Sequence, residues 1–361
     1  MKNVLISTLF FLTITALGIH SSSAPIVNKD SSYTYIYPTY FGNRINTSAS
    51  NPATINGVYL GRMLFYEKLL SVNNNISCAS CHQQSKAFTD GKKFSTGIDT
   101  VTTTRNSMSL VNLLWVRNFF WDGRAASLEE QATTPLTAIH EMGQPLHISV
   151  NKLLHTRRYP ALFKAAFGSA TITDTLIIKA LAQFERSLIS ANSNYDKYLQ
   201  HLYTPTTAES NGMALFMSNP TPEKNIRGAG CAHCHGGPKL FVELYHNNGL
   251  DSMPPDQGRS LITGQATDIG RFRTVTLRNI ALTAPYMHDG RFNTLEEVLD
   301  HYSDHIKISS TLSPAIRGNY NDTLTHTLHL SKKEKNDIIA FLHMLTDSTF
   351  INDKRFSDPN Q

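Results

Sequence analysis

Cys78-Ala79-Ser80-Cys81-His82 and Cys231-Ala232-His233-Cys234-His235 decide how this chain must be read. Each is a Cys-x-x-Cys-His string, the attachment signature of c-type haem. The two thiols add across the porphyrin vinyl groups, and the next imidazole lies where it can bind the iron. The sequence has 4 cysteines, and the two strings use all of them. A redox dithiol has no need of the His, and a zinc site gathers its ligands in one compact cluster. Two covalently bound haem c groups are expected, one on Cys78, Cys81 and His82, the other on Cys231, Cys234 and His235.

The 361 residues suffice for two domains, and the wide separation of the strings suits one haem domain around each. Residues 56–70 carry apolar side chains at helical offsets and lead into the first string; residues 207–217 lead likewise into the second. This is a weak internal repeat of helix, loop and Cys-x-x-Cys-His. Residues 149–167 and 173–202 read as amphipathic and mostly helical, as do 294–302 and 331–345. Residues 31–52 and 89–107 read as irregular. The break at 203–207 marks the expected boundary, giving domains at 25–204 and 205–361. The expected fold is mainly α, with two cytochrome c-like haem domains packed together.

Residues 1–24 open with Lys2, run apolar through 4–17 and end in small residues, which is the pattern of a cleaved secretory signal peptide. Export agrees with haem c, which is attached outside the cytoplasm, so the expected location is the periplasm. No later run approaches the ~18 apolar residues that a membrane span needs. The formal charge is +5 and the pI near 8.9, yet there is no dense Lys/Arg tract to indicate nucleic acid. A mild basic bias suits docking to an acidic partner.

A haem held by one His has an open face and can bind a small molecule, whereas one with a second strong ligand passes electrons only. Between Gln83 and Ile139 there is no His, and Met108 is the one Met. The first haem therefore lacks a strong distal ligand, unless His140 or a residue of the other domain serves. The polar block nearby contains Trp121, Asp122, Arg124, Gln131, Pro135 and Glu141. Peroxide cleavage needs a group that moves a proton from one oxygen to the other. Glu141 can do so if it sits over the iron, and is otherwise a solvated carboxylate.

The chain resembles the bacterial di-haem cytochrome c peroxidases, in particular their MauG-like branch. The resemblance is carried by LGRMLF (60–65), RNSMSLVN (105–112), FFWDGRAASLEEQ (119–131), IHEMGQP (139–145), FRTVTLRNIALTAPYMHDGRF (272–292) and TLEEVLDHY (294–302). It implies His82 as proximal ligand of a peroxidatic haem and His235 as that of an electron-transfer haem. It further implies Trp121 between the haems, Gln131 and Glu141 in the distal pocket with Glu141 as acid–base, and one calcium ion. The calcium ligands would be the Asn106 side chain and the carbonyls of Thr283 and Pro285, an oxygen set that suits this ion. Family members that need reductive activation carry a His after the first string; residues 91–105 have none. Where those enzymes cap the second haem with Met, this chain has Tyr302, with Met287 and His301 as competitors. A phenolate lowers the iron's potential, and Met raises it.

The expected activity is reduction of hydrogen peroxide to water, with electrons from a small cytochrome c or cupredoxin. One alternative is oxidation of Tyr or Trp side chains on a partner protein; another is a di-haem electron carrier without catalysis. The family also includes homodimers.

Overall fold

The computed structural model describes residues 31–360, so the expected signal peptide lies outside the described residues. The first helices are α1 Ile55–Phe65, α2 Cys78–Cys81, α3 Leu128–Thr137, α4 Leu146–Leu154, α5 Tyr159–Phe167, α6 Asp174–Ser187 and α7 Asn194–Leu199. Then follow α8 Thr207–Met217, α9 Ala232–His235, α10 Ser260–Thr263, α11 Leu295–Asp304, α12 Pro314–Arg317 and α13 Lys332–His343. Among the described residues the strands are β1 Tyr245–His246 and β2 Phe272–Arg273, paired antiparallel with Tyr245 opposite Arg273. The expectation of a mainly α chain holds.

Boundaries differ from the sequence reading where capping chemistry intervenes. The helix expected over 56–70 ends at Phe65 and resumes as a 3-10 turn at Lys68–Leu70. The stretch expected at 149–167 is broken at 155–158, and α5 restarts with Pro160 in its first turn, where a missing N–H costs nothing. The stretch at 173–202 is interrupted at 188–193, and Ser193 caps α7.

Glycines set the two closest helix contacts. On α1, a Cβ on Gly61 would stand 1.9 Å from the Ala180 carbonyl oxygen of α6. On α8, a Cβ on Gly212 would stand 1.8 Å from the Asp337 carbonyl oxygen of α13. Only a residue without a side chain permits such an approach. Around α1 and α6 gathers one apolar cluster, including Leu60, Leu64, Phe65, Leu128, Leu136, Phe163, Leu181 and Phe184. Around α8 and α13 gathers a second, including Phe216, Leu295, Leu299, Ile338, Phe341 and Leu342. Tyr195 of α7 belongs to the second cluster, while Phe350 and Phe356 return to the first.

A buried polar node joins the halves. Arg278 and Asp196 form an ion pair with both side chains fully buried. Asp196 also accepts from Tyr40 Oη at 2.9 Å, Ser193 N at 2.8 Å and Ser193 Oγ at 2.7 Å. Arg278 donates to the Pro238 carbonyl at 3.0 Å and lies over the Phe41 ring. Next to it, the Asp347 carboxylate accepts from Ser190, Ala191 and Asn192 on one oxygen and from Thr349 and Phe350 on the other. Asn279 ties the two nodes, donating to Ser190 Oγ and accepting from Asp347 N.

Arg278→Met would leave the Asp196 carboxylate buried without its cation. Denaturant unfolding of the holoprotein should show a loss of about 3–5 kcal/mol, the cost of stranding one buried charge. A loss under about 1 kcal/mol, as for an exposed pair, would show that the node does not hold the halves together.

Candidate functional site

Each Cys-x-x-Cys-His string forms a single helical turn, α2 or α9, which puts its thiols on one side three residues apart. The following imidazole is oriented through its Nδ1. His82 Nδ1 lies 2.8 Å from the Phe88 carbonyl oxygen, and His235 Nδ1 lies 3.1 Å from that of Val275. Such a bond fixes the tautomer and leaves Nε2 as the ligating nitrogen. Burial lowers both imidazoles, His235 to about 4, which keeps them in the neutral form that binds iron. Burial also pushes all four thiols up, Cys231 to about 12, the opposite of a reactive dithiolate. Both sites fit covalent haem c.

Beside the second string lies a cavity of about 640 Å³, within the size range of cofactor pockets. Cys231, Cys234, His235, Met287 and Tyr302 all line it. Of the three candidates for the far side of the second haem, His301 is excluded by its orientation. Its Nε2 lies 3.0 Å from the Asn248 carbonyl oxygen, and it does not line the cavity. Tyr302 and Met287 both do. The Asn248 amide stands 3.3 Å from the Tyr302 hydroxyl and 3.3 Å from the Met287 sulfur, bridging them. Burial pushes Tyr302 up to about 12, although the Asn248 bond opposes it. What exposure Tyr302 keeps is to the cavity.

The cavity does not include Cys78, Cys81, His82, Gln131 or Glu141. An internal repeat, longer than the sequence reading recognised, relates the two sites. Residues 109–131 and 276–298 match without a gap, and the backbone repeats with them. Asn112 and Asn279 both take φ near +60°, Phe120 and Met287 are both left-handed at 67° and 76°, and Gly123 and Gly290 follow at 72° and 60°. An isolated antiparallel bridge closes each turn, Phe119 with Ala125 and Tyr286 with Phe292. Ser127 then caps α3 and Thr294 caps α11, each with Glu three residues on. In this register Leu295, Val298, Leu299 and Tyr302 of α11, which line the second cavity, correspond to Leu128, Gln131, Ala132 and Pro135 of α3. Tyr302 thus has Pro135 as its counterpart, a side chain with no ligating atom.

Glu141 follows α3 in a turn pinned by Ile98 N to its carbonyl at 3.1 Å. Its carboxylate lies near enough to the first string to raise both Cys78 and Cys81. Burial raises the Glu141 carboxyl, and Arg124 partly offsets this. The Gln131 amide, half-buried, makes no hydrogen bond to another described residue. His140 is not available as a distal ligand. It is exposed at the surface, with Nδ1 2.6 Å from Asp99 Oδ2.

Trp121 lines the second cavity and stands edge-on to His288, centroids 6.4 Å apart. Its Nε1 donates to the Asn106 carbonyl at 2.8 Å, and the adjacent Ser107 Oγ donates to the Cys81 carbonyl at 2.9 Å. A short hydrogen-bonded path therefore runs from the cavity of the second site to the residue before His82. Asn106, Thr283 and Pro285 all border that cavity. The Asn106 Nδ2 donates to the Lys92 carbonyl at 2.8 Å, leaving Oδ1 as its acceptor atom.

Fold and sites together define a protein of two cytochrome c-like domains, each built to carry one haem c. Comparisons with known proteins agree. The family profile for di-haem cytochrome c peroxidases matches residues 56–204. The methylamine utilization protein MauG of Methylorubrum extorquens is 34% identical, over 82% of this chain and 80% of that one. The cytochrome c551 peroxidase of Nitrosomonas europaea is 35% identical, over 70% of this chain and 74% of that one. A crystal structure of a MauG-like protein associated with microbial copper homeostasis shares the fold with a TM-score of 0.82 at 36% identity, covering 91% of this chain and all of the other. This chain belongs to the di-haem cytochrome c peroxidase family.

Glu185 was missed in the sequence, where a Glu on an amphipathic helix reads as solvated. It is buried on α6, its Oε2 has no hydrogen-bond partner, and its charge acts on Cys78 more strongly than that of Glu141. Burial pushes its carboxyl from 4.5 up to about 8, with Arg186 opposing and Glu129 adding. The folded protein holds this proton more tightly than the unfolded chain does. The stability it contributes is therefore complete below about 4.5 and is lost as pH rises to about 8. Glu185→Gln should remove that loss. In thermal melts of the holoprotein, the variant should gain on the wild type between those two pH values; a constant difference would show that Glu185 is ionised throughout.

Proposed function

We propose that this chain is a periplasmic di-haem c-type peroxidase that reduces hydrogen peroxide to two waters, consuming two protons and two electrons. The electrons come from a small redox protein, a cytochrome c or cupredoxin, in the weak, small-area encounter usual for such partners. The observation that carries this reading is the repeat that sets Pro135 on the first site where Tyr302 stands on the second. Residues so placed would leave one haem open to a small molecule and would offer the other a second ligand. Haem c, when bound, supplies the iron redox chemistry that breaks the O–O bond.

The chain's own residues handle the proton and the position. Glu141, raised by burial, takes a proton from the near peroxide oxygen and returns it to the leaving one. The Gln131 amide donates to the bound oxygen. Trp121, hydrogen-bonded to Asn106, couples the two sites. Asn106 Oδ1 and the carbonyls of Thr283 and Pro285, a set of hard oxygen donors, would hold a calcium ion beside this link. The haem units follow the divisions 25–204 and 205–361.

A second reading keeps this machinery and changes the reductant to Tyr or Trp side chains of a partner protein. It is favoured by the Tyr302 hydroxyl facing the second cavity, since a phenolate ligand stabilises oxidised iron where Met would not. Turnover with reduced cytochrome c, against oxidation of a co-expressed partner, separates the two.

Glu141→Gln should retain both haems and lose peroxide reduction by about 10²–10⁴-fold; undiminished turnover would remove Glu141 from the mechanism. Electron paramagnetic resonance of the untreated ferric protein should show one high-spin and one low-spin iron. Two low-spin irons would indicate a carrier without catalysis. Tyr302→Met should raise the potential of the low-spin haem alone, and an unchanged potential would exclude Tyr302 as its ligand.

A further inference from the structure

Three arginines are buried among the described residues: Arg186, Arg273 and Arg278. Two have their counter-charge in the protein. Arg186 pairs with both oxygens of Glu129, and Arg278 pairs with Asp196. Arg273, 6% exposed, has no acidic group within ion-pairing distance among the described residues. Its nearest carboxylate, Glu243, is committed elsewhere, accepting from Arg117 N at 2.6 Å and Asn118 N at 2.8 Å.

The guanidinium is also under-bonded. Nε donates to the Phe120 carbonyl at 3.3 Å, and the two terminal nitrogens make no hydrogen bond to a described residue. Those nitrogens are not sealed off either, because Arg273 lines the cavity beside the second string. A guanidinium keeps its charge under all ordinary conditions, and a buried unpaired cation is among the costliest features a fold can carry. The backbone nonetheless fixes it there. Arg273 N donates to the Trp121 carbonyl at 2.7 Å, and β2 holds Arg273 opposite Tyr245.

We propose that Arg273 is the counter-ion of a haem propionate at the second site, and that its charge, beside Trp121, sets the potential of that haem. The cavity admits one large ligand with anionic arms, the haem attached at Cys231 and Cys234, and its carboxylates match the planar fork of a guanidinium. A fixed positive charge near the iron disfavours the ferric form, so Arg273 holds the potential up against the opposing effect of a Tyr302 phenolate. Arg273 would touch the cofactor and not the peroxide. The inference rests on haem c at the second site and not on which reductant the enzyme uses.

Spectroelectrochemical titration of Arg273→Gln and Arg273→Lys holoproteins tests it. Arg273→Gln should shift the second haem's one-electron equilibrium at least tenfold towards ferric iron, about 59 mV at n = 1. Arg273→Lys should retain most of the wild-type potential, and the first haem should not move in either. An unchanged second haem, equal shifts in the two variants, or a shift confined to the first haem would each overturn the assignment. Should Arg273→Gln fail to accumulate, redox-difference infrared spectra of the wild-type holoprotein take its place. Reduction of the second haem should then perturb guanidinium bands identified by ¹⁵N-arginine labelling; a spectrum without them overturns the assignment equally.

Discussion

The Arg278–Asp196 pair is the contact on which the arrangement of this protein depends. A charge pair wholly removed from water tolerates no half-measures: it needs close geometry and further hydrogen bonds, or it costs more than it returns. Here Tyr40 and Ser193 complete the carboxylate, and the Pro238 carbonyl completes the guanidinium. These partners come from the start of the first half, the link and the second half. The pair therefore fixes how the two apolar clusters meet. Trp121 is held at that meeting, its carbonyl accepting from Arg273 N and its indole donating to the Asn106 carbonyl.

One scaffold, used twice, supports two unlike sites. The left-handed Asn, the tight turn with its glycine and the capped helix recur in the same order, so the backbone beyond each string is the same device. Chemistry enters by substitution within that register. Tyr302 against Pro135 puts a hydroxyl on the wall of the second cavity where the corresponding position of α3 has no polar side-chain atom. Val298, on the wall of the second cavity, has the amide Gln131 as its counterpart on α3. Met287 against Phe120 keeps a strained backbone in both places, where a left-handed non-glycine residue stores about 1–3 kcal/mol, and such strain gathers at functional sites.

Much of this could be read in the sequence because thioether attachment is local chemistry: two Cys and a His within five residues admit few other meanings. The helical class and the positions of the long helices followed from apolar spacing. Three things did not follow. Which of Met287, His301 and Tyr302 faces the second site depends on side-chain direction, and the Asn248 carbonyl on His301 removes that one while Met287 and Tyr302 both line the cavity. The long repeat is one of turn geometry more than of identical residues, so it is plain in dihedral angles and faint in letters. Glu185 and Arg273 are charged residues in places where charge is normally solvated, and nothing in a single sequence marks the exceptions.

Residues 350–356 cross back from the second half to the first. Phe350 and Phe356 fill the first apolar cluster, the Gln84 amide donates to the Phe350 and Asp353 carbonyls, and Tyr66 donates to the Phe356 carbonyl. Part of the wall beside the earlier Cys-x-x-Cys-His string is thus supplied by a segment that follows the second one in sequence. The amino-terminal half therefore leaves its own apolar cluster unfinished, and residues from beyond the second Cys-x-x-Cys-His string complete it, so the two halves are interleaved and not simply docked.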